Sequence, residues 1–428
     1  MEDNRVWPPP RACYVHVPFC THRCGYCDFT LIARRPDLVE DYLAALGREL
    51  RTALPGENRG TLSRREGEAP AEPHAREDGL LDGAAQRELR PPAPADAPID
   101  QPQPELDTLF FGGGTPTFLT ASQLEQLGKL LRERFRLAPG YEWSIEANPT
   151  GLTDDKLEVL RDLGVNRVSL GIQSFDAELL KLLERDHDGA IAIDAVRRLQ
   201  SRFENVSIDL IFGIPGQTLP HWQQTLEQAV SLGVQHISTY GLTFEAGTAF
   251  WSRKAKGLIR PIPNELERSM YEWVMEFLPA SGYPQYEISN FARPGYEARH
   301  NQTYWRSEPF YGFGPGAASY LDGVRQANHR SVTTWIRKTL AGESAVGDRE
   351  KLDPEATARE AVMLGLRQCR GIELREFANR FGYEMPRLAG DEFEVLLADG
   401  LIEIIDGACR LTPSGRCVAD GVIMEFLA

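Results

Sequence analysis

Long apolar runs are missing from this 428-residue chain, and nowhere does it approach the roughly 18 consecutive apolar residues that a membrane-spanning helix needs. Its first residues, MEDNRVWPPPRACYVHV, lack a basic segment followed by an apolar core and a small-residue cleavage site, so we expect no secretion signal and a cytoplasmic location. Positive charge is scarce too. Lys and Arg number 47 against 62 Asp and Glu, a net charge of -15, and no local basic patch interrupts the acidity. Such a surface repels phosphate backbones, so nucleic acid is not an expected partner, and membrane association is expected only through a partner protein. Cysteine is sparse and odd in number: Cys13, Cys20, Cys24, Cys27, Cys369, Cys409 and Cys417. Scattered except for one tight group, these seven exclude a disulfide framework and read as thiols or metal ligands. Residues 55–105 have no aromatic residue and no cysteine but nine prolines and five glycines, the composition of a disordered insertion.

What is present is the composition of a globular protein, 42% hydrophobic and 25% charged, on a chain long enough for two or three domains or one large barrel with an appendage. Strand-like runs at Tyr14 to Val17, Thr108 to Phe111, Trp143 to Glu146, Arg167 to Gln173, Ser207 to Phe212 and His236 to Thr243 alternate with amphipathic helices. Leu124, Leu127, Leu130 and Leu131, or Trp222, Leu226, Ala229 and Val230, mark the buried stripes of two of them. Successive parallel βα units fold as a barrel, and six units rather than eight predict an α/β fold with a partial, open (β/α)6 barrel over residues 10–325. The insertion follows the first helix, so it leaves the face opposite the one where βα loops build sites. Residues 326–428 bring short helices and then LIEIIDGACRLT with an Asp406-Gly407 turn, the order of a winged-helix-like α+β domain. From residue 346 onward 16 acidic and 10 basic side chains leave a net of -6, which favours a structural or docking role over DNA binding.

The chemistry concentrates after the first strand, in Cys20-Thr-His-Arg-Cys24-Gly-Tyr-Cys27. Three thiolates at this spacing face one centre from a single loop. A cubane iron-sulfur cluster normally takes four, so three leave one iron open to an exogenous chelator such as an amino acid moiety. A zinc site with His22 as a fourth ligand, or unrelated buried thiols, are the alternatives. Gly112-Gly113-Gly114-Thr115 ends the second strand, where missing Cβ atoms let backbone approach a ligand. Glu146, Gln173, Arg185 and Asp209 are polar residues at or near strand positions that burial would otherwise make apolar, and together they match a site assembled at barrel strand ends.

C-x3-C-x2-C, GGGTPT, EANP, GIQSF and IDLIFGIPGQT, in this order, resemble the radical S-adenosylmethionine (radical SAM) family of oxygen-independent coproporphyrinogen oxidases and HemW haem chaperones. The resemblance spans nearly the whole chain outside the insertion and implies a 4Fe-4S cluster on Cys20, Cys24 and Cys27 with S-adenosylmethionine on its open iron. It further implies Tyr14, Tyr26, Gly113, Gly114, Thr115, Glu146, Gln173, Arg185 and Asp209 as cofactor contacts, and a HemN-like C-terminal domain. The oxidases carry a fourth cysteine two positions after the third, where this chain has Phe29, and a longer arm before the cysteine loop, where Cys20 here has nineteen residues before it. The chain has instead His300-Asn301-Gln302-Thr303-Tyr304-Trp305, similar to the H-N-x-x-Y-W motif of the chaperones. By that likeness haem is a further expected ligand, with the His300 imidazole on its iron, and acceptor haemoproteins are the expected partners. The resemblance favours a haem chaperone that is not an enzyme; the alternative is a coproporphyrinogen III dehydrogenase.

Overall fold

The structure, a computed structural model, describes residues 7–54 and 103–427. The insertion expected at 55–105 therefore lies, up to residue 102, outside the described residues. The six expected strands are all present: β1 (Ala12–Val17), β2 (Glu105–Gly113), β3 (Arg136–Ala147), β4 (Arg167–Gln173), β5 (Asn205–Phe212) and β6 (His236–Gly241). They pair in that order and in parallel, the right arrangement for strands fed one at a time by crossover helices.

Between them run α1 (Val39–Ala53), α2 (Ala121–Arg132), α3 (Asp154–Leu163), α4 (Gly189–Gln200) and α5 (Leu219–Ser231). Three of them start where the sequence supplies a side-chain cap. Thr120 and Gln123 form a reciprocal capping box on α2, and the side chains of Asp188 and Thr218 accept backbone N–H groups at the starts of α4 and α5. The leucine and tryptophan stripes then seal against the sheet: Leu124, Leu127, Leu131, Trp222 and Leu226 are all buried in one core with Val15, Phe111, Ile145, Leu170 and Ile208.

Sequence periodicity did not reveal how far the sheet extends. A seventh parallel strand, β8 (Phe310–Phe313), lies on the free side of β1, followed outward by antiparallel β9 (Ala318–Leu321), β10 (Val324–Asn328) and β11 (Val346–Glu350), while β7 (Asn290–Ala292) caps β6. These five strands are short, and β10 has no fully buried residue, so none carries the apolar run that marks a core strand. A domain boundary after residue 325 falls inside β10; the sheet keeps its strands to Glu350, and a separate core begins at Ala358.

That second core joins the helices Pro354–Gly365 and Leu374–Phe381 to the hairpin Ile402–Ile405 and Ala408–Leu411, with Ile372–Glu373 as a third strand. Asp406 and Gly407 both take positive φ (52° and 84°), the geometry of the tight hairpin turn read from their sequence. Two short helices, Met385–Ala389 and Glu392–Ala398, follow one another with a break at Gly390. Backbone bonds from Ile288 to the Arg367 carbonyl (3.0 Å) and from Cys369 to the Tyr286 carbonyl (3.0 Å) stitch the C-terminal domain to the barrel.

Candidate functional site

Where β1 ends, Phe19–Cys20 pairs with Ile32–Ala33 and closes the base of the cysteine loop. Inside it Cys27 N–H donates to the Cys24 carbonyl (3.1 Å), and the Arg23 guanidinium donates to the carbonyls of Cys27, Phe29 and Leu31. Gly25 is required by contact: a Cβ there would lie 2.6 Å from the Phe250 ring, and Phe250 N–H donates to the Gly25 carbonyl (2.8 Å). The loop thus presents three thiols to one cavity. Cys20 lies 3.2 Å from the Thr115 hydroxyl, and Arg185 Nη1 donates to Cys24 Sγ at 3.6 Å. Burial pushes the Cys20 thiol up to about 11 and raises Cys27 as well, so both stay protonated until a metal centre takes the proton's place.

Among the described residues no three His, Cys, Asp or Glu side chains close on a single metal-ion point. His22 instead sits 3.9 Å from Glu184. A cubane takes thiolates at separate corners of a cage, and three thiols from one loop on one cavity, with the Arg185 cation beside Cys24, are a donor set that fits it.

Next to the thiols the ends of β2, β3, β4 and β5 supply polar groups. Gly113 (φ 109°) donates its N–H to Glu146 Oε2 (2.9 Å), and a Cβ on Gly114 would meet the Phe19 carbonyl at 2.7 Å. Arg185 Nη2 donates to Asn148 Oδ1 and to the Gly171 carbonyl, both at 2.7 Å, while its buried Nε has no protein partner. Asn148 in turn donates to the Thr115 hydroxyl (2.9 Å). Gln173 takes φ 70°, rare for a side-chain-bearing residue, where the β4–β5 register shifts. Ser169 donates to Asp209 (3.2 Å). Cys20, Cys24, Cys27, Tyr26, Gly113, Gly114, Thr115, Glu146, Gln173, Arg185 and Asp209 all line one cavity of about 1120 Å³. The unpartnered Arg185 Nε, the glycine cradle and two buried carboxyls make a donor and acceptor set that fits an amino acid and nucleoside ligand such as S-adenosylmethionine.

Burial, and then the charge of Asp209, push the Glu146 carboxyl up to about 8, against the opposing pull of Gly113 N–H and Arg167. Burial raises Asp209 too, opposed by Ser238, Arg167, Ser169 and Arg185. A carboxyl whose folded value lies above its unfolded 4.5 stabilises the fold at low pH, and that contribution is lost as pH rises through about 8. The cluster-free, cofactor-free protein should therefore lose stability between about pH 5 and 8. Glu146→Gln, which still accepts from Gly113, is expected to remove on the order of 1–4 kcal/mol of that loss, read from denaturant midpoints across the range. An unchanged slope in the variant would refute the assignment.

Tyr14 and His300 stand beside the glycine run: the Tyr14 hydroxyl is 3.1 Å from His16 Nδ1, and its ring flanks Gly112, as Glu146 does, 6.4 Å from that of His300. His300 is 1% exposed. Its Nδ1 lies 2.9 Å from the Thr108 hydroxyl and its Nε2 2.7 Å from the Tyr304 hydroxyl, and its ring stacks on Phe110 at 5.1 Å. Both nitrogens have hydroxyl partners, and the imidazole packs against the barrel strands. The motif around it also ties the barrel to the C-terminal domain. Glu142 of β3 accepts the N–H groups of Arg299 and His300 and caps the helix Arg299–Trp305, and the Trp305 carbonyl accepts from Gln368 of the C-terminal domain.

Sequence reasoning missed Asn148 although it lies within EANP, because a neutral amide after a strand reads equally well as a turn residue. It also missed Arg367, Arg416 and Cys417, which line the same cavity from the C-terminal domain and have no motif around them.

The model of the radical SAM superfamily matches residues 96–229, and that of the HemN C-terminal domain matches residues 352–418. A protein of Bacillus subtilis named heme chaperone HemW is 33% identical over 97% of this chain and 99% of its own length, and one of the same name from Lactococcus lactis is 32% identical over 98% and 97%. A mouse mitochondrial protein named radical S-adenosyl methionine domain-containing protein 1 is 29% identical over 97% of this chain and 87% of its own. Among solved structures, coproporphyrinogen III oxidase (HemN) of Escherichia coli superposes with a TM-score of 0.76 over 98% of this chain and 91% of that one, at 22% identity, a likeness of fold. With thiols, glycine cradle and barrel in place and the chain aligned nearly end to end with its relatives, this protein belongs to the HemW family of the radical SAM superfamily.

Proposed function

We propose that this protein is a haem chaperone: it binds haem and passes it to acceptor haemoproteins, and it carries a 4Fe-4S cluster on Cys20, Cys24 and Cys27 with S-adenosylmethionine beside it. When bound, the cluster supplies an iron free of protein thiolate that chelates the amine and carboxylate of the cofactor. Arg185, whose buried Nε is unpartnered, pairs with the cofactor's carboxylate, the Gly113–Gly114 backbone on the cavity wall faces its methionine moiety, and Glu146 accepts from its ammonium or ribose hydroxyls. The observation that carries the chaperone reading over the dehydrogenase one is Phe29, an apolar side chain 56% exposed that lines the cavity at the position of the oxidases' fourth cysteine. A cavity of about 1120 Å³ exceeds the roughly 300–1000 Å³ of ordinary small-molecule sites and leaves room for a macrocycle. No helix among the described residues is long and apolar enough to cross a membrane, and we place the protein in the cytoplasm, meeting membrane-bound acceptors by docking.

The test runs haem titration and coproporphyrinogen III turnover side by side on the anaerobically reconstituted protein. Haem should bind, and coproporphyrinogen should remain unconverted even with reductant and excess S-adenosylmethionine. Conversion to protoporphyrinogen over multiple turnovers would overturn the chaperone reading.

A further inference from the structure

A parallel barrel ordinarily fills its lumen with layers of branched apolar side chains. Beneath the cavity of this protein the lumen is polar instead: Ser144, Ser169, Ser207 and Ser238 are buried there, and with them Arg167, 3% exposed at the start of β4. Strand register fixes their order. Arg167 stands in one row with Phe110 and Ser144, and two residues up the strands, about 7 Å nearer the cavity, the next row holds Glu146, Ser169 and Ser207. Ser169 of that row donates to Asp209 (3.2 Å). Both carboxyls of the cofactor site therefore lie just above a long cation rooted one row below them.

Nothing at its own level neutralises this cation. Its buried Nε has no protein partner, and among the described residues no ion pair engages it. The imidazoles that share the lumen are neutral, since burial and then Arg167 itself lower both His236 and His300. His236 has its nitrogens 2.7 Å from the Ser207 hydroxyl and 2.8 Å from the Tyr286 hydroxyl. Glu142, further down β3, accepts the N–H groups of Arg299 and His300. A buried charge without a counter-charge is costly, which leaves the two carboxyls overhead to compensate it. The need is mutual. Glu146 is faced by Asp209 of β5, Tyr14 of β1, Tyr240 of β6 and Tyr304, all of which oppose its ionisation, and only the Gly113 N–H and Arg167 favour it. Asp209 is favoured by Arg185, Ser169 and Ser238 as well as by Arg167.

We propose that Arg167 is a positioning residue of the cofactor site, a fixed cation beneath the floor that lets the Glu146–Asp209 pair ionise towards S-adenosylmethionine. The inference rests on the cofactor site described above and not on the fate of haem. A ligand that brings a sulfonium and an amine is drawn to an anionic pair, whereas a protonated carboxyl offers it no charge and one acceptor fewer. Burial keeps water from screening the cation, so its field reaches the pair across the row between them.

The test measures equilibrium affinity for S-adenosylmethionine on the full chain with its cluster reconstituted, from about pH 6 to about pH 10. In the unaltered protein affinity should fall below about pH 8, where Glu146 takes up its proton. Removing the cation makes that proton harder to displace, so Arg167→Gln should move the fall upward by about one pH unit. Binding should then be about tenfold weaker at neutral pH, and the deficit should shrink as the pH rises. Lost packing alone would weaken binding by the same factor at every pH. Arg167→Lys, which keeps a cation, should restore the unaltered profile, and iron content should be the same throughout. If Arg167→Gln does not fold, Asp209→Asn compared with Asp209→Asn combined with Arg167→Gln, where an anion leaves with the cation, reads the same upward shift. The cofactor's own groups titrate alike in every variant and cancel in these comparisons. A profile lowered in affinity but not displaced in pH would overturn the inference and leave the cofactor site standing. Failure of the unaltered protein to bind S-adenosylmethionine at all would overturn both.

Discussion

Cys24→Ala is expected to abolish the brown chromophore, with iron after anaerobic reconstitution falling from about four atoms per chain to background. Cys20→Ala and Cys27→Ala should do the same. The effect is total because the loop offers only these three thiols, and no other cysteine lies in it to substitute. Cys13 is buried in the barrel core and Cys409 in the core of the C-terminal domain, both 0% exposed. Cys369 and Cys417 stand at the other end of the cavity or behind it, so serine in any of these four positions should leave iron content unchanged. The loop itself should survive each alanine substitution, since it is held by Arg23, by the contact of Gly25 with Phe250 and by the Phe19–Cys20 pairing, none of which uses a thiol. Loss of iron with an unaltered far-ultraviolet circular dichroism spectrum is therefore the expected pair of readings. Full iron in Cys24→Ala would overturn the cluster assignment.

The parts of this molecule that were legible in the sequence are those whose physics is local. A parallel strand buried on both faces must be an apolar run, and a helix lying on it must show a 3.6-residue stripe, so β1 to β6 and their helices declared themselves. The cysteine loop and the glycine run did so because thiolate ligation and close backbone approach each restrict a position to one residue type. Edge strands β9 to β11 did not, since half-exposed residues such as Arg325 and Gln326 satisfy their pairing as well as any others. Side-chain direction is a third kind of property, set by tertiary packing. Glu146 and Asp209 share a cavity because alternation along their strands places them on the lumen side, which a period of two foretells, whereas Gln173 joins them at a register shift that no period shows. The setting of His300 was not legible, because a histidine followed four residues later by tyrosine looks the same in sequence whether its ring faces a ligand or another ring.

His300→Ala should cost roughly 3–5 kcal/mol of stability, because it strips the buried hydroxyls of Thr108 and Tyr304 of their partner, removes a ring stacked on Phe110 and leaves a cavity where the three pack. The midpoint of denaturant unfolding should fall accordingly, while in the fraction that remains folded the haem spectrum and the cluster absorbance stay as they were. A milder variant, His300→Gln, keeps part of the hydrogen bonding and separates folding from ligation if alanine proves too disruptive. It also tests the charge state. Burial lowers the imidazole to about 3 from 6.5, so the folded protein holds it neutral while the unfolded chain takes up a proton. Such a group contributes stability above pH 6.5 that is lost as pH falls toward about 3. The unaltered protein should thus weaken over that window more steeply than His300→Gln, whose side chain takes no proton. A haem spectrum that changes in His300→Gln while stability and its pH slope do not would restore the histidine as an iron ligand and displace the structural role assigned to it.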